Sequence, residues 1–518
     1  MKKTVKLIFV MILTLAVCVS CGKTGESKAS ELYAEKMPDT DEIFAHAEVL
    51  TKIKGTRQSG SKGGVEAQKY ILEKFNEYGL DDVHVIPTET PLWQCENWNL
   101  EIEGEEIDSY KMYMSFFDGK YDKGGVLKAD SNGVVSKGNA TYGTFSTADE
   151  GNTEDADIIY VKDAEAIKKM KKSKIEGKVV VANTSAVGYC TPDAYYCAQE
   201  KGAVAFVGIL SDYFDSNEYN PEDMTYVDGS FKIPGYYVTK KTGEKIKQLI
   251  KNAEESGKPA IVHFEMTVTV EKSDKAGSVV GILPGKSNSD EKMIMISSHY
   301  DATTTEGATQ DASGVSVVLA LSDFFSQIPQ EERDRSILFV LNDTHASDYD
   351  AHDNVSAEYL GGKWLDEEAC VVPGMEATDV LAAICVEHIS EEGIIKDNNL
   401  KLTGNVTPRT AYVADSPEMI KIVENAISNI QDEKTTGVTE IETVGIDDEI
   451  VTDADIFWYD GYGIPVVSFI SVQPYIFDNC DTIDKIPQRA LKPVTESIAN
   501  IVWDFLSLDA SAFKVDTK

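Results

Sequence analysis

A histidine with a carboxylate two residues on, His299-Tyr300-Asp301, closes the apolar run Met293-Ile294-Met295-Ile296. Such a pair can present one imidazole nitrogen to a metal or substrate while the carboxylate orients the other. A polar loop leads to Gln310-Asp311-Ala312-Ser313-Gly314, which opens the helical pattern Val315, Val317, Val318, Leu319, Leu321, Phe324 and Phe325. A second apolar run, Val380 to Val386, ends in Glu387-His388. Strand, ionisable group, loop and helix place these side chains at the carboxyl end of a sheet, where open α/β folds keep their sites.

The elements that must hold them alternate strand and helix, which argues for a mostly parallel sheet with helices on both faces. Ser278 to Leu283, Met293 to Ile296, Ser336 to Leu341, Val380 to Val386 and Ile464 to Ile470 are its strands, and Ala490 to Leu506 is a closing helix. Toward the N-terminus, Ala67 to Tyr78 is amphipathic and ends at Gly79, a C-cap position. Val83 to Pro87 and Trp98 to Ile107 alternate like two strands. From Gly124 to Glu271 the character changes. Gly177-Lys178-Val179-Val180-Val181-Ala182-Asn183, then a helix, Lys201 to Ile209, Ile233 to Val238 and a further helix resemble the small, β-rich protease-associated domain. That resemblance implies a lid or partner surface without catalysis of its own. The expected organisation is one α/β domain over residues 40–123 and 272–518, interrupted by an insert over 124–271.

The chain has 518 residues, long enough for two or three domains, with an ordinary 42% hydrophobic content. Its 49 basic against 87 acidic residues give a formal charge of -38. That field repels a phosphate backbone, so nucleic-acid binding is not expected. Lys2, Lys3 and Lys6 precede an apolar run from Leu7 to Val17, shorter than the ~20 residues of a spanning helix. With Ser20-Cys21-Gly22 after it, the segment resembles a bacterial lipoprotein signal. The resemblance implies cleavage after residue 20, a lipid on Cys21, a polar tether over residues 21–39, and an exported protein held to the cell envelope by that anchor alone; Cys18 departs from the usual leucine. Six further cysteines permit disulfides in an oxidising compartment without requiring any.

Together, Gly55-Thr56-Arg57-Gln58-Ser59-Gly60-Ser61, SVVGILPG, MIMISSHYD, GATQDASGVSVVLALS, RSILFVLND, the strand ending at Glu387, and YDGYGIPVVSFI leading to Asp481-Thr482 resemble metallopeptidase family twenty-eight. The resemblance runs in order through most of residues 40 to 510. It implies a zinc exopeptidase fold and hydrolysis of peptides or small amides by two zinc ions sharing a bridging carboxylate, with a glutamate as general base. His299 matches the first zinc histidine and Asp301 the carboxylate that orients it. The bridging position holds Gln310; a one-residue slip would put Asp311 there instead. The two consecutive glutamate positions hold His345 and Ala346. Glu387 matches the next acidic ligand, and Phe477 stands where the last histidine belongs.

The ligands of one ion are thus replaced, while the other keeps His299 and Glu387. A single zinc could remain there with His345 as third ligand, which leaves no carboxylate base at the usual place. His345 is then the catalytic candidate, His299, Glu387 and Gln310 the metal positions, and Asp301 and Asp311 their supports. Asp453 or Asp455, from the VTDADIFWYDGYG loop, is an open alternative that the sequence does not decide. The second reading is a degenerate relative that binds a peptide, glycan or protein at the cell surface, with His299 and Asp301 a retained hydrogen-bonded pair and Glu387 and His388 solvated beside it. His46, His84 and His263 are assigned to structure. A serine hydrolase is disfavoured, since no Gly-x-Ser-x-Gly elbow accompanies a late histidine, and no H-E-x-x-H, P-loop or dinucleotide fingerprint is present.

Overall fold

The computed structural model describes residues 28–112, 134–137, 140–146, 148–149, 152–153, 156–185, 193–219, 233–286, 292–343, 379–428, 437–445, 452, 454 and 464–515. In chain order the elements used below are α1 (Thr40–Thr51), α2 (Lys62–Glu77) and β1 (Asp81–Ile102). Then follow β2 (Ala156–Val161), β3 (Val179–Thr184), α3 (Asp193–Glu200), β4 (Ala205–Leu210), β5 (Gly235–Thr239), α4 (Lys240–Glu255) and β6 (Ala260–Leu283). The second half supplies β7 (Met293–His299), α5 (Ser313–Ser326), β8 (Ile337–Asn342), β9 (Val380–Val386), β10 (Glu391–Lys396), β11 (Asn399–Val406), β12 (Arg409–Ala414), α6 (Pro417–Ser428), β13 (Val438–Val444), β14 (Val466–Ile470) and α7 (Gln488–Ser507).

The fold is mixed α/β. Its central sheet runs β13-β12-β14-β9-β7-β8-β6. The middle four strands, β14, β9, β7 and β8, are mutually parallel. Antiparallel pairings of β12 on β14 and β6 on β8 flank them. Every residue of β7, β8, β9 and β14 is buried, which explains their continuous apolar runs: a strand covered on both faces has no solvent side to mark with polar residues. Helix α5 packs on β7 with almost its whole length buried, and α1 and α7 lie against α5.

Helix α2 starts five residues ahead of the expected Ala67, because the Ser61 side chain accepts from Gly64 N–H at 3.0 Å and caps it there. The two strands expected around 83–87 and 98–107 are one, β1, paired with β6 from Asp81 to Ile102. Register shifts near Thr88 and Cys95 absorb the local breakers, so a long ladder overrides them. Glu103 and Gly104, both at positive φ, turn the chain at its end.

Along this two-stranded arm the first core gives way to a second. Strands β2, β3, β4 and β5 form a parallel set joined to β6 through β2, with α3 and α4 among them. Their core draws in Trp93, Leu100, Ile102, Ile107 and Met112, ahead of residue 124, which itself lies outside the described residues. It also takes Tyr475, Ile476 and Phe477 from the segment after β14. Among the described residues no helix is long and apolar enough to cross a membrane.

Candidate active site

The carboxyl ends of β7 and β9 bring His299, Asp301, Asp311, Glu387 and His388 to one place, all at most 4% exposed. His299 ends β7. Its Nδ1 lies 3.2 Å from the Asp301 carbonyl and 3.4 Å from Asp301 Oδ1, so Nδ1 carries the proton and Nε2 the lone pair. The loop beyond is held by a buried arginine that pattern reading passes over as part of a turn. Arg57 donates from Nε to Tyr300 O at 2.8 Å, from Nη1 to Glu306 O at 2.6 Å and from Nη2 to Gly307 O at 2.8 Å. One guanidinium thereby ties residues 300–307 to the loop before α2, with an isolated bridge from Arg57 to Ala302 beside it.

Gln310 and Asp311, joined by a cis peptide bond, precede α5. The Asp311 carboxylate accepts from Ser298 Oγ at 2.7 Å, Ser313 Oγ at 3.2 Å, Gly314 N at 2.9 Å and His388 N at 3.0 Å. Burial pushes its carboxyl above the ordinary value, opposed by His299 and by the Ser298, Gly314 and His388 donors. Gly314 is required by this approach. A Cβ there would stand 2.2 Å from Asp311 Oδ2 and 2.3 Å from the Val386 carbonyl.

Asp481 grips the preceding residues from the far side. Its carboxylate accepts from Thr309 N at 3.0 and 3.1 Å and from Gln310 N at 3.2 Å. Full burial raises it to about 7, although those hydrogen bonds and Arg57 pull it down. Beneath the site lies Arg409, which donates from Nη2 to Glu387 O at 3.1 Å. Burial lowers its guanidinium to about 10, and the nearby Asp311 and Glu387 oppose the shift.

Glu387 and His388 are not solvated, as the binding-protein reading had them. They are 1% and 4% exposed, because β9 runs directly into them between β7 and β14. His388 takes a positive φ of 54° and is clamped three ways. Its N–H goes to Asp311, its carbonyl accepts from Ser471 Oγ at 2.6 Å, and its Nδ1–H donates to Ser471 O at 2.7 Å. Sequence reasoning named His388 without giving it a role. The available signal was its position, directly after an acidic residue that closes a buried strand.

Residues 278–346 match the model of Peptidase family M28. Carboxypeptidase Q from Mus musculus is 23% identical over 273 residues, 51% of this chain and 51% of that protein. The chain thus spans about half the length of that curated relative. An aminopeptidase from Aneurinibacillus sp. strain AM-1 superposes with a TM-score of 0.58 at 18% identity, covering 91% of this chain and 94% of the other. A zinc aminopeptidase from Bacillus subtilis gives 0.60 at 15% identity, covering 92% and 98%. The fold is the one these aminopeptidases share.

The M28 match and the zinc of that Bacillus subtilis aminopeptidase make zinc the group to test against this site. Among the described residues the side chains that the family resemblance implies for two ions are not all present. Gln310 offers a neutral amide where a bridging carboxylate is expected, and Asp311 cannot slip into its place with four donors already on its oxygens. Phe477 is buried in the second core, its ring 6.5 Å from that of Tyr219. The segment around it is fixed there by an isolated bridge between Tyr219 and Asp478 and by Asn479 N donating to Glu218 O at 3.3 Å. Among the described residues no three His, Cys, Asp or Glu side chains gather as a metal-holding group. His345, Ala346, Asp453, Asp455 and Cys21 lie outside the described residues.

His46 has a structural place. It is buried between Tyr70 Oη at 2.7 Å and Tyr78 Oη at 3.3 Å, and burial lowers it to about 4.

Proposed function

We propose that this chain is a peptide-directed protein of the zinc aminopeptidase fold, acting on a peptide or small amide, whose site takes at most one divalent ion. The commitment of Asp311 carries this reading. In a two-ion site the carboxylate at the start of α5 must give an oxygen to each metal, and here both oxygens hold the start of α5, the end of β7 and the backbone beyond β9. Peptide as ligand follows from the M28 match and from the crevice at the carboxyl ends of the parallel strands, which is where such folds bind. Zinc content of protein purified without a histidine tag tests it. One equivalent or less is expected, and a value near two overturns the reading. Each group in contact with the reacting atoms that is removed from a hydrolytic centre normally lowers turnover by orders of magnitude. Activity on aminoacyl substrates is therefore expected to be weak, and to fall further in His299→Ala and Glu387→Ala.

The second reading, a binding protein without catalysis, is favoured by Phe477. The segment where the family resemblance places a late ligand here serves as packing for the insert. Unchanged hydrolysis in both variants would select it, with a peptide, glycan or protein as surface ligand.

We further propose a position at the cell envelope, which the lipoprotein-like start of the sequence supports, and a lid or partner surface as the part played by residues 124–271. Labelled palmitate is expected to enter the wild-type chain and not Cys21→Ala. Equal labelling of the two removes the anchor.

A further inference from the structure

We propose that a cavity behind the candidate site, between strands β12 and β14 and helices α6 and α7, binds one chloride-sized monovalent anion on Arg409 and Ser497. This goes beyond the reading above and does not depend on how many metal ions the site takes. Three observations carry it. The first is the cavity itself. Ile427 from α6, Phe469 from β14, and Val494 and Ile498 from α7 give it apolar walls, and Arg409 and Ser497 are the polar side chains among its lining residues. Val494, Ser497 and Ile498 share one stripe of α7, at i, i+3 and i+4. A serine in an otherwise apolar stripe leaves space where a larger side chain would pack. The centre of a water-sized particle can range over about 10 Å³ there, roughly the room of one such particle.

The second is the state of Arg409, which is 1% exposed. A guanidinium carries only donors and no acceptor. Its Nη2 donates to Glu387 O at 3.1 Å and to Phe469 O at 3.4 Å, whereas its Nε, also buried, has no hydrogen-bond partner. A buried donor without an acceptor has given up its water with nothing in return. Such groups are uncommon enough that each calls for a reason.

The third is charge. The carboxylates that act on Arg409 are those of Asp311 and Glu387, and burial outweighs their pull, so the guanidinium falls to about 10. Asp311 already serves four donors of its own. The arginine is therefore under-compensated, and a buried charge is costly until it is both paired and hydrogen-bonded. An anion in the cavity supplies the missing countercharge and an acceptor for Nε together, with the Ser497 hydroxyl as a second donor. Apolar walls and room for one particle select a small, weakly hydrated monovalent ion. Sulfate or phosphate needs more space, and more donors to replace its water. Because Nη2 of the same guanidinium holds the Glu387 carbonyl, the bound ion steadies the end of β9, which carries Glu387 and His388 into the candidate site.

Chloride NMR line widths in solution and bromide soaked into crystals of the full chain test the proposal. Sodium gluconate keeps the ionic strength constant, because a protein of formal charge -38 responds to any salt. Wild-type protein is expected to broaden the chloride line in a saturable way and to show bromide within hydrogen-bond reach of Arg409 Nε. Ser497→Val removes the hydroxyl, fills the space and leaves Arg409 in place, so saturable broadening is expected to vanish. Ser497→Ala keeps the space and loses one donor, and is expected to bind about tenfold more weakly. The Glu387 N–H, which donates to Phe469 O at 2.9 Å, is expected to exchange more slowly with chloride present in the wild type and not in Ser497→Val. Wild-type protein without saturable broadening overturns the site, as does equal broadening by the wild type and Ser497→Val. A water in place of bromide beside Arg409 overturns it too. Sulfate that competes with chloride as well as bromide does overturns the assignment to a small monovalent ion. Exchange at Glu387 that ignores chloride overturns the link to the candidate site.

Discussion

Replacing Asp311 by alanine is expected to destabilise the protein by about 3–5 kcal/mol, the cost of stranding buried partners of a lost charge. Two of the four donors that it accepts are backbone N–H groups, of Gly314 and His388, which cannot rotate away to find another acceptor. The two hydroxyls, of Ser298 and Ser313, can turn in part. Thermal unfolding should show a fall of roughly 3–5 °C, since the shift per kcal/mol shrinks with chain length. Asp311→Asn separates this role from metal ligation. Gly314 N, His388 N and Ser313 Oγ all bond to Oδ1, so an amide oxygen placed there keeps three of the four. Its NH₂ then faces Ser298 Oγ, which can reverse its sense and accept. The expected cost is about 1 kcal/mol, with metal content unchanged. A stable Asp311→Asn that loses its ion as completely as His299→Ala would make Asp311 a ligand after all.

The contrast between Gln310 and Asp311 also marks how far the sequence could lead. The four parallel strands were legible because they are buried on both faces, which leaves a continuous apolar run as signature. His299, Asp301 and Glu387 were legible because each follows directly on such a run. Arg57 was not, since its value depends on the carbonyls of Tyr300, Glu306 and Gly307, about 250 residues away, and no spacing rule carries that information. His388 was hidden for a related reason. Its neighbours in the chain suggest an exposed turn, and only the pairing of β9 with β7 and β14 buries it and brings it to His299. Phe477 was legible as a replaced position but not as packing, because its partners belong to the second core, far away in sequence. The length of β1 was misread after Pro87, where the expected break gave way to a continuous ladder along β6.

Asp481 sets the largest expected pH effect. Its folded-state value is about 7 against an ordinary 3.8, with burial as the leading cause. The folded protein therefore holds this proton between about pH 4 and 7, while the unfolded chain has released it. Stability contributed by the raised value is complete below pH 3.8 and is lost as pH rises through 7. Three pH units correspond to about 4 kcal/mol at this fully buried group. The comparison to make is denaturant unfolding of wild type and Asp481→Asn from pH 4.5 to 8.5. The difference between the two should shift steadily in the variant's favour up to pH 7 and level off above it. A difference independent of pH would show that the carboxylate is already ionised throughout, held by the Thr309 and Gln310 N–H groups and by Arg57. The same titration bears on the site, because those two N–H groups belong to the turn that sets Gln310 and Asp311 at the start of α5. Above pH 7 the ionised carboxylate accepts from them more strongly, so the turn is expected to tighten while the protein as a whole becomes less stable. Hydrogen exchange at Thr309 and Gln310 should therefore slow relative to the global opening rate as pH rises, after correction for the intrinsic rate.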